Sequence, residues 1–230
     1  EPLPLVGDAD TFKKSRPYLQ RLRPRHGREL RVGNEPSIVP GDDDTFASYG
    51  RAWANLSSTP FRFYKRWTHE GGVATPLVVH WPGGGLADGS IVRDPLQLTD
   101  VMPTLLEAAG VAYPARDELR DVAPCEGRSF LPALRGAPLP EVCLYWEHTG
   151  NAAIRCGRWK LVSEYPSGWE LYDMESDRSE TRNLAAAHPE RVRWLAEDWQ
   201  QWARRTGVIP WDCVLQIYRD AGMSELDAAG

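Results

Sequence analysis

Residues Trp53–Pro82 read WANLSSTPFRFYKRWTHEGGVATPLVVHWP and form the most informative segment of the chain. In it, a single lysine, Lys65, and the Gly71-Gly72 pair precede an apolar run at residues 75–81. That run has the length and composition of a strand buried on both faces. A turn beside a buried strand can hold side chains at the edge of a sheet. We therefore expect this segment to carry the chemistry, with Lys65 as its candidate cation.

Periodic patterns predict the elements that follow. Apolar residues recur at spacings of three and four from Leu98 to Ala109, and Gly110 ends the pattern, which predicts a helix packed on a sheet. A second helical pattern at residues 189–205 places Val192, Leu195, Trp199 and Trp202 on one face. Between them, four short β-like runs separated by turn signals predict an antiparallel meander beneath the second helix: Val142–Trp146, Ala152–Arg155, Trp159–Ser163 and Trp169–Tyr172.

Four motifs in a fixed order give the chain a family resemblance. They are Lys65 with Glu70-Gly71-Gly72 and Trp81-Pro82, the stretch Asp100–Gly110, the stretch Glu126–Phe130, and Trp159–Val162 followed by Glu170–Asp173. The second is similar to a D-x-x-P-T-[IL]-L-x-x-A-G helix. Together they resemble the sulfatases, specifically the arylsulfatase-like branch of the alkaline-phosphatase superfamily.

The resemblance implies an α/β fold. It consists of part of an alkaline-phosphatase-like layered sheet and a small C-terminal antiparallel four-stranded sheet with a long helix. Residues 1–140 would form the C-terminal portion of the catalytic domain, with residues 1–50 as an irregular excursion that includes a possible helix at Thr11–Leu22. Residues 141–210 would form the sheet-and-helix subdomain, and residues 211–230 a tail.

The resemblance also implies sulfate-ester hydrolysis with a formylglycine nucleophile and a Ca²⁺ ion. The C/S-x-P-x-R motif that supplies formylglycine is missing from this sequence, as are the paired aspartates and the D-N-G motif that bind the metal. The sequence begins at Glu1-Pro2. We therefore expect the C-terminal part of a sulfatase, without metal ligands and inactive alone. Its partners would be the missing N-terminal half of the fold and a small-molecule or glycan sulfate ester.

Three residues are candidates for the site. Lys65 matches the family's sulfate-binding lysine, and the alternative is a surface lysine beside Arg62 and Arg66. His69 is a candidate substrate-binding residue or an ordinary hydrogen-bonded turn histidine. His148 lies in a segment similar to W-E-H-x-G-N, and either contacts substrate or has a structural role. Glu70 is expected to order its turn by accepting backbone N–H bonds.

Composition excludes some partners. The net charge is −5 and the isoelectric point is near 5.6, which argues against nucleic acid as a partner. A basic cluster between Lys13 and Arg31 is interrupted by proline and predicts a solvated loop.

No apolar run is long enough to cross a bilayer. The four cysteines indicate neither a zinc site nor a dense disulfide framework. Asp42-Asp43-Asp44 is expected to form a solvated turn rather than a metal site. The compartment stays open, although the resemblance favours a periplasmic or secreted parent.

Three functions remain open from the sequence. The first is a sulfatase fragment, and the second is a phosphodiesterase or phosphonate-ester hydrolase of the same superfamily. The third is a non-catalytic remnant that folds or binds without turnover. If missing strands complete the sheet, this chain alone should expose a strand edge and an apolar face and should aggregate or self-associate.

Overall fold

The computed structural model describes residues 27, 31–32, 36–39, 41–46, 50–86, 89–114 and 121–220. Its strands are β1 (Arg31–Val32), β2 (Thr45–Phe46), β3 (Cys143–His148), β4 (Asn151–Cys156), β5 (Trp159–Ser163) and β6 (Trp169–Asp173). Its α-helices are α1 (Gly50–Ser57), α2 (Glu70–Val73), α3 (Val101–Ala109), α4 (Leu131–Leu134), α5 (Pro189–Thr206) and α6 (Trp211–Asp220). Pro82–Gly84 and Leu98–Asp100 form short 3₁₀ helices.

The chain divides into two compact units. Within the described residues, the first contains residues up to Thr75 together with Tyr145–Asp220, and the second is Pro76–Leu144. Residues 50–75, predicted to belong to the catalytic domain, group with the C-terminal sheet in this structure. Helix α6 lies in the predicted tail. The domain bounds themselves stay a prediction. The possible helix at Thr11–Leu22 lies outside the described residues.

The first unit is built on a four-stranded sheet in the order β3-β4-β5-β6. Strands β4, β5 and β6 pair antiparallel, with Ile154 opposite Leu161 and Leu161 opposite Leu171. These three side chains are fully buried. Side chains alternate along a strand, so Lys160 and Val162 face the opposite side from Leu161. The predicted meander is confirmed.

Helix α5 covers one face of this sheet, as its amphipathic pattern predicted. Leu195 of the helix is fully buried, and the indole N–H of Trp199 donates to the carbonyl of Trp146 at 3.0 Å. The rings of Tyr145 and Trp202 stack with centroids 5.2 Å apart. The other face receives residues 61–73, which contact Lys160, Glu170 and Tyr172. The sheet is therefore a middle layer between α5 and the segment that contains Lys65.

The aspartate-rich turn lies near the short β1–β2 pair. Asp42 and Asp43 are exposed, whereas Asp44 is buried and lies 2.9 Å from a guanidinium nitrogen of Arg31. The carbonyl of Asp42 accepts the backbone N–H of Thr45 at 3.1 Å. The predicted turn is present, and Arg31 pairs with two of its carboxylates, those of Asp44 and Asp42.

In the second unit, α3 forms where the sequence predicts a helix and ends at Gly110, whose φ of 67° is the left-handed conformation of a helix C-cap. The Thr104 hydroxyl donates to the carbonyl of Asp100 at 2.7 Å and accepts the N–H of Phe130 at 2.9 Å. The Asp100 carboxylate accepts the N–H of Arg128. Polar contacts thus fix the inner side of this helix.

Two expectations for the second unit are wrong. Residues 75–81 are not a buried strand: Val78 is 88% exposed, and no strand among the described residues pairs with this run. A β-strand exists only with a hydrogen-bonded neighbour, whatever its composition. The predicted packing of α3 on a sheet is also absent from the described part of the chain, where Leu98 is 88% and Leu105 64% exposed.

None of the helices in the described residues combines the length and apolar character needed to span a membrane.

Candidate functional site

Lys65 lies at the second position of a tight turn from Tyr64 to Trp67. The N–H of Trp67 donates to the carbonyl of Tyr64 at 3.2 Å, and Arg66, at the third position, has a φ of 109°. A positive φ at that position is required by type II turns, which normally place glycine there. Phe63, just before the turn, also has a positive φ of 62°. Such conformations cost on the order of 1–3 kcal/mol each and persist only where the surroundings impose them.

Gly71 and Gly72 form the surface on which this turn rests. A Cβ at Gly71 would overlap the carbonyl oxygens of Arg62 and Phe63, and one at Gly72 would overlap the carbonyl oxygen of Trp67. The N–H of Gly71 donates to the carbonyl of Arg62 at 3.0 Å. The Gly-Gly motif is therefore needed because the two backbone segments touch directly.

Three side-chain hydrogen bonds tie the turn to the rest of the first unit. The Asn151 amide donates to the carbonyl of Arg66 at 3.2 Å, and the Trp67 indole donates to Glu164 at 2.9 Å. The Thr68 hydroxyl donates to the carbonyl of Ala152 at 3.1 Å. The turn is thus fastened to the hairpin between β3 and β4, which also contains His148.

A buried cluster of charges lies under the same segment. The Lys160 ammonium is 2.8 Å from Glu180 Oε1 and 3.1 Å from Glu70 Oε1, and the side chains of Lys160 and Glu180 have no exposed surface. Glu180 Oε2 also accepts the backbone N–H of Glu70 at 2.8 Å. Arg178 contributes a second cation, 3.0 Å from Glu70 Oε2.

The two carboxyl groups of this cluster have pKa values shifted in opposite directions. Burial raises the pKa of Glu70, but Lys160 and Arg178 outweigh it, so that this pKa lies below its usual value. Burial raises the pKa of Glu180 more than Lys160 lowers it. The prediction that Glu70 accepts backbone N–H bonds is wrong, because its carboxylate binds the side chains of Lys160 and Arg178 instead.

His69 is buried beneath the turn, with 1% of its surface exposed. Its Nε2 lies 3.4 Å from Glu170 Oε2, and its ring meets the edge of Phe63 with centroids 4.8 Å apart. Burial lowers the His69 pKa to about 4, so the ring is neutral near pH 7. Its role in substrate binding stays a prediction. In this structure the ring packs inside the first unit.

Lys65 and His148 are both exposed. Within the described residues, Lys65 has neither an ion-pair nor a hydrogen-bond partner. His148 contacts Thr149, and Thr149 and Gly150 both have a positive φ, which fits the two-residue turns of tight hairpins. The Asn151 amide links the two candidates, because it donates to the carbonyls of both Arg66 and His148.

The cysteines do not form a metal site. Cys143 and Cys156 are disulfide-bonded, so neither can supply a thiolate ligand, while Cys125 and Cys213 are free. The one grouping of potential metal ligands in the described part of the chain includes these two disulfide sulfurs.

Comparison with known proteins agrees with the motif order. Residues 61–194, more than half of the chain, match the family model described as N-sulphoglucosamine sulphohydrolase, C-terminal. The chain belongs to the sulfatase family. It corresponds to the C-terminal part of a sulfatase, and the matched region contains the Lys65 turn, the Gly-Gly pair and the four-stranded sheet.

Individual sulfatases give the extent of the likeness. The chain is 33% identical over 178 residues to an uncharacterized sulfatase of Schizosaccharomyces pombe, covering 74% of this chain and 32% of that protein. It is 31% identical over 150 residues to the choline-sulfatase of Rhizobium meliloti, covering 62% and 27% respectively. The crystal structure of Ps i-CgsB superposes on 63% of this chain and 32% of its own, with a TM-score of 0.54 at 23% identity, which supports the fold. This sulfatase chain thus spans about a third of the length of such relatives.

Sequence reasoning missed the residues that support the turn. The sequence patterns place Asn151 only in a motif and a turn, and Lys160 only in a motif and a strand. The signal for Lys160 was a lysine between apolar neighbours in a strand, since a lysine is almost never fully buried without a partner. Nothing local to Asn151 indicates its bond to a carbonyl 85 residues away.

Gly72→Ala should destabilise the chain by about 1–3 kcal/mol, because the added methyl group has to displace the carbonyl of Trp67. Gly168→Ala is the matched control, since no atom lies within 4 Å of its Cβ position. Urea unfolding measures both changes. Equal stability of the two variants would contradict the direct contact between Gly72 and the turn.

Acid should weaken the fold through His69. Its pKa is about 4 when folded and near 6.5 when unfolded, so the unfolded state binds more protons between these values. The free energy of unfolding should therefore fall by up to about 3 kcal/mol as the pH drops from 6.5 to 4. His69→Gln should remove this part of the pH dependence, whereas His148→Gln, at an exposed histidine, should retain it. Identical pH profiles for wild type and His69→Gln would refute the assignment.

Proposed function

We propose that the full-length protein hydrolyses sulfate esters and that Lys65 binds the sulfate group. The observation that carries this proposal is an exposed lysine, without a partner among the described residues, on a turn whose strained backbone is held by its surroundings. Backbone strain of this kind concentrates at functional sites. Membership of the sulfatase family supplies the reaction class.

The chemistry asked of Lys65 is electrostatic. An ammonium group presents a compact positive charge and three hydrogen-bond donors, which suits a tetrahedral oxyanion. Charge on the sulfate oxygens changes as the S–O bond to the leaving group breaks. A cation fixed in advance stabilises that charge without reorganising. His148 is the second residue of the proposed site, because the Asn151 amide fastens its hairpin to the Lys65 turn.

The residues of this chain do not fit the nucleophile or the metal that the resemblance implies. The sequence has no C/S-x-P-x-R motif, and the one candidate ligand grouping in the described residues includes disulfide sulfurs, which are not calcium ligands. Both the nucleophile and the metal site would be supplied by polypeptide outside this chain.

We also propose that this outside polypeptide covers an apolar surface of the second unit. Large apolar side chains are exposed there at Leu77, Val78, Val79, Ile91, Leu98, Met102 and Leu105. A surface of this kind marks an interaction site, and the chain spans about a third of its relatives. The occupant would be the remainder of the sulfatase fold, which would cover these exposed side chains.

Lys65→Ala in the full-length protein should lower kcat/KM for a chromogenic aryl sulfate by about 100- to 1,000-fold, the usual loss on removing one preorganised charge-stabilising group. Arg193→Ala, an exposed arginine of α5, should leave turnover unchanged. Unchanged turnover in Lys65→Ala would remove this residue from the site. Turnover of phosphonate esters but no sulfate esters would move the protein to the phosphonate-ester hydrolases.

Leu98→Ala tests the covered surface. In the isolated chain Leu98 is 88% exposed, so the change should alter the free energy of unfolding by less than about 0.5 kcal/mol. In the full-length protein, burial of Leu98 should raise the cost to about 2–5 kcal/mol. Leu161→Ala, at a side chain with no exposed surface, is the control that should cost as much in both. A negligible effect of Leu98→Ala in both proteins would contradict the proposed covering.

A further inference from the structure

The Asn151 side chain joins three separate segments of the first unit. Its amide nitrogen donates to the carbonyl of Arg66 at 3.2 Å and to that of His148 at 3.1 Å. Its carbonyl oxygen accepts the backbone N–H of Tyr165 at 3.1 Å. Asn151 itself is 3% exposed. A single buried amide therefore holds the Lys65 turn, the His148 hairpin and the loop between β5 and β6.

From this arrangement we infer that Asn151 is a positioning residue that fixes Lys65 for sulfate binding. The inference rests on the proposed function. It adds the residue that holds the backbone of the Lys65 turn in position. Asn151 acts through Lys65 and does not itself touch the substrate.

The orientation of the amide supports this role. Two carbonyl oxygens require a donor and one backbone N–H requires an acceptor, so a single orientation of the amide satisfies these three backbone partners. Aspartate offers no donor to the two carbonyls, and serine is too short to bridge them while accepting the third bond. Asparagine meets all these requirements at this position.

The hydrogen bond from Asn151 to the Arg66 carbonyl holds the residue of the turn that has the least favourable backbone conformation. Arg66 follows Lys65 directly and has a φ of 109°, a conformation that a residue with a side chain rarely adopts. Without a hydrogen bond to its carbonyl, Arg66 could relax to a negative φ, and that rotation would redirect Lys65. The neighbouring bonds of Trp67 and Thr68 start one and two residues further on, and so constrain the lysine less closely.

Asn183 provides a matched comparison within the same unit. Its side-chain oxygen accepts two backbone N–H groups, those of Leu171 at 3.1 Å and Ala185 at 2.9 Å. These bonds support β6 and the segment after it, and neither partner belongs to the Lys65 turn. Asn183→Ala therefore reports the cost of losing a structural asparagine without touching the proposed site.

The test is a double-mutant cycle in the full-length protein, with an aryl sulfate as substrate. Asn151→Ala should lower kcat/KM about 10- to 100-fold, the scale expected when a group is misplaced by about 1 Å. It should show the same division between kcat and KM as Lys65→Ala. In a protein that already lacks Lys65, Asn151→Ala should cost less than about two-fold, because coupled residues are not additive. Asn183→Ala should lower the melting temperature while turnover stays as in wild type.

Each outcome decides the inference. Additive losses from Asn151→Ala and Lys65→Ala, or an equal loss of turnover in Asn183→Ala, would overturn the positioning role while the proposed function stands. An unaffected Lys65→Ala variant would overturn both. Should Asn151→Ala fail to fold, Asn151→Ser takes its place in the cycle, because its hydroxyl fills part of the space without spanning the two carbonyls.

Discussion

The ion pairs of the buried Lys160 with Glu70 and Glu180 hold the Lys65 segment on the four-stranded sheet. A lysine without exposed surface is tolerated only when its charge is paired, and here Glu70 and Glu180 both lie within 3.1 Å of it. Such a cluster adds little net stability over apolar packing, but loss of one partner leaves an uncompensated charge and costs about 3–5 kcal/mol. These ion pairs hold Glu70, and with it the start of α2, against one face of the four-stranded sheet.

Backbone contacts connect the buried charge cluster to the exposed Lys65 turn. Glu70 is followed by Gly71 and Gly72, whose missing side chains let the Lys65 turn lie directly on α2. The positive φ of Arg66 is then held from the far side by Asn151. The backbone around Lys65 is therefore held in place. The proposed electrostatic role of this lysine needs such support, because a charge that must first move into position stabilises a transition state less. The buried charge cluster, the Gly71-Gly72 contact and the Asn151 hydrogen bond together support the Lys65 turn.

Much of this fold is readable from the sequence because its signals are local. The β3–β6 meander follows from short β-like runs separated by turn signals, and α5 follows from helical spacing. The partners of Lys160 are not readable, since Glu70 lies 90 residues away and no local pattern selects it. The prediction of a strand at residues 75–81 is wrong because it also depends on a partner that is distant in sequence. Its composition is suitable, but a strand needs a neighbour, and the described residues do not supply one.

Native-state hydrogen exchange at the backbone amide of Glu70 would show whether the charge cluster and the sheet unfold together. This amide donates to Glu180 Oε2 at 2.8 Å, so it should open only when the buried charge cluster separates. We expect its free energy of opening to equal that of the amides in the middle of β5. Exchange at the rate of an exposed loop would contradict it, and would mean that the Lys65 segment moves independently of the sheet.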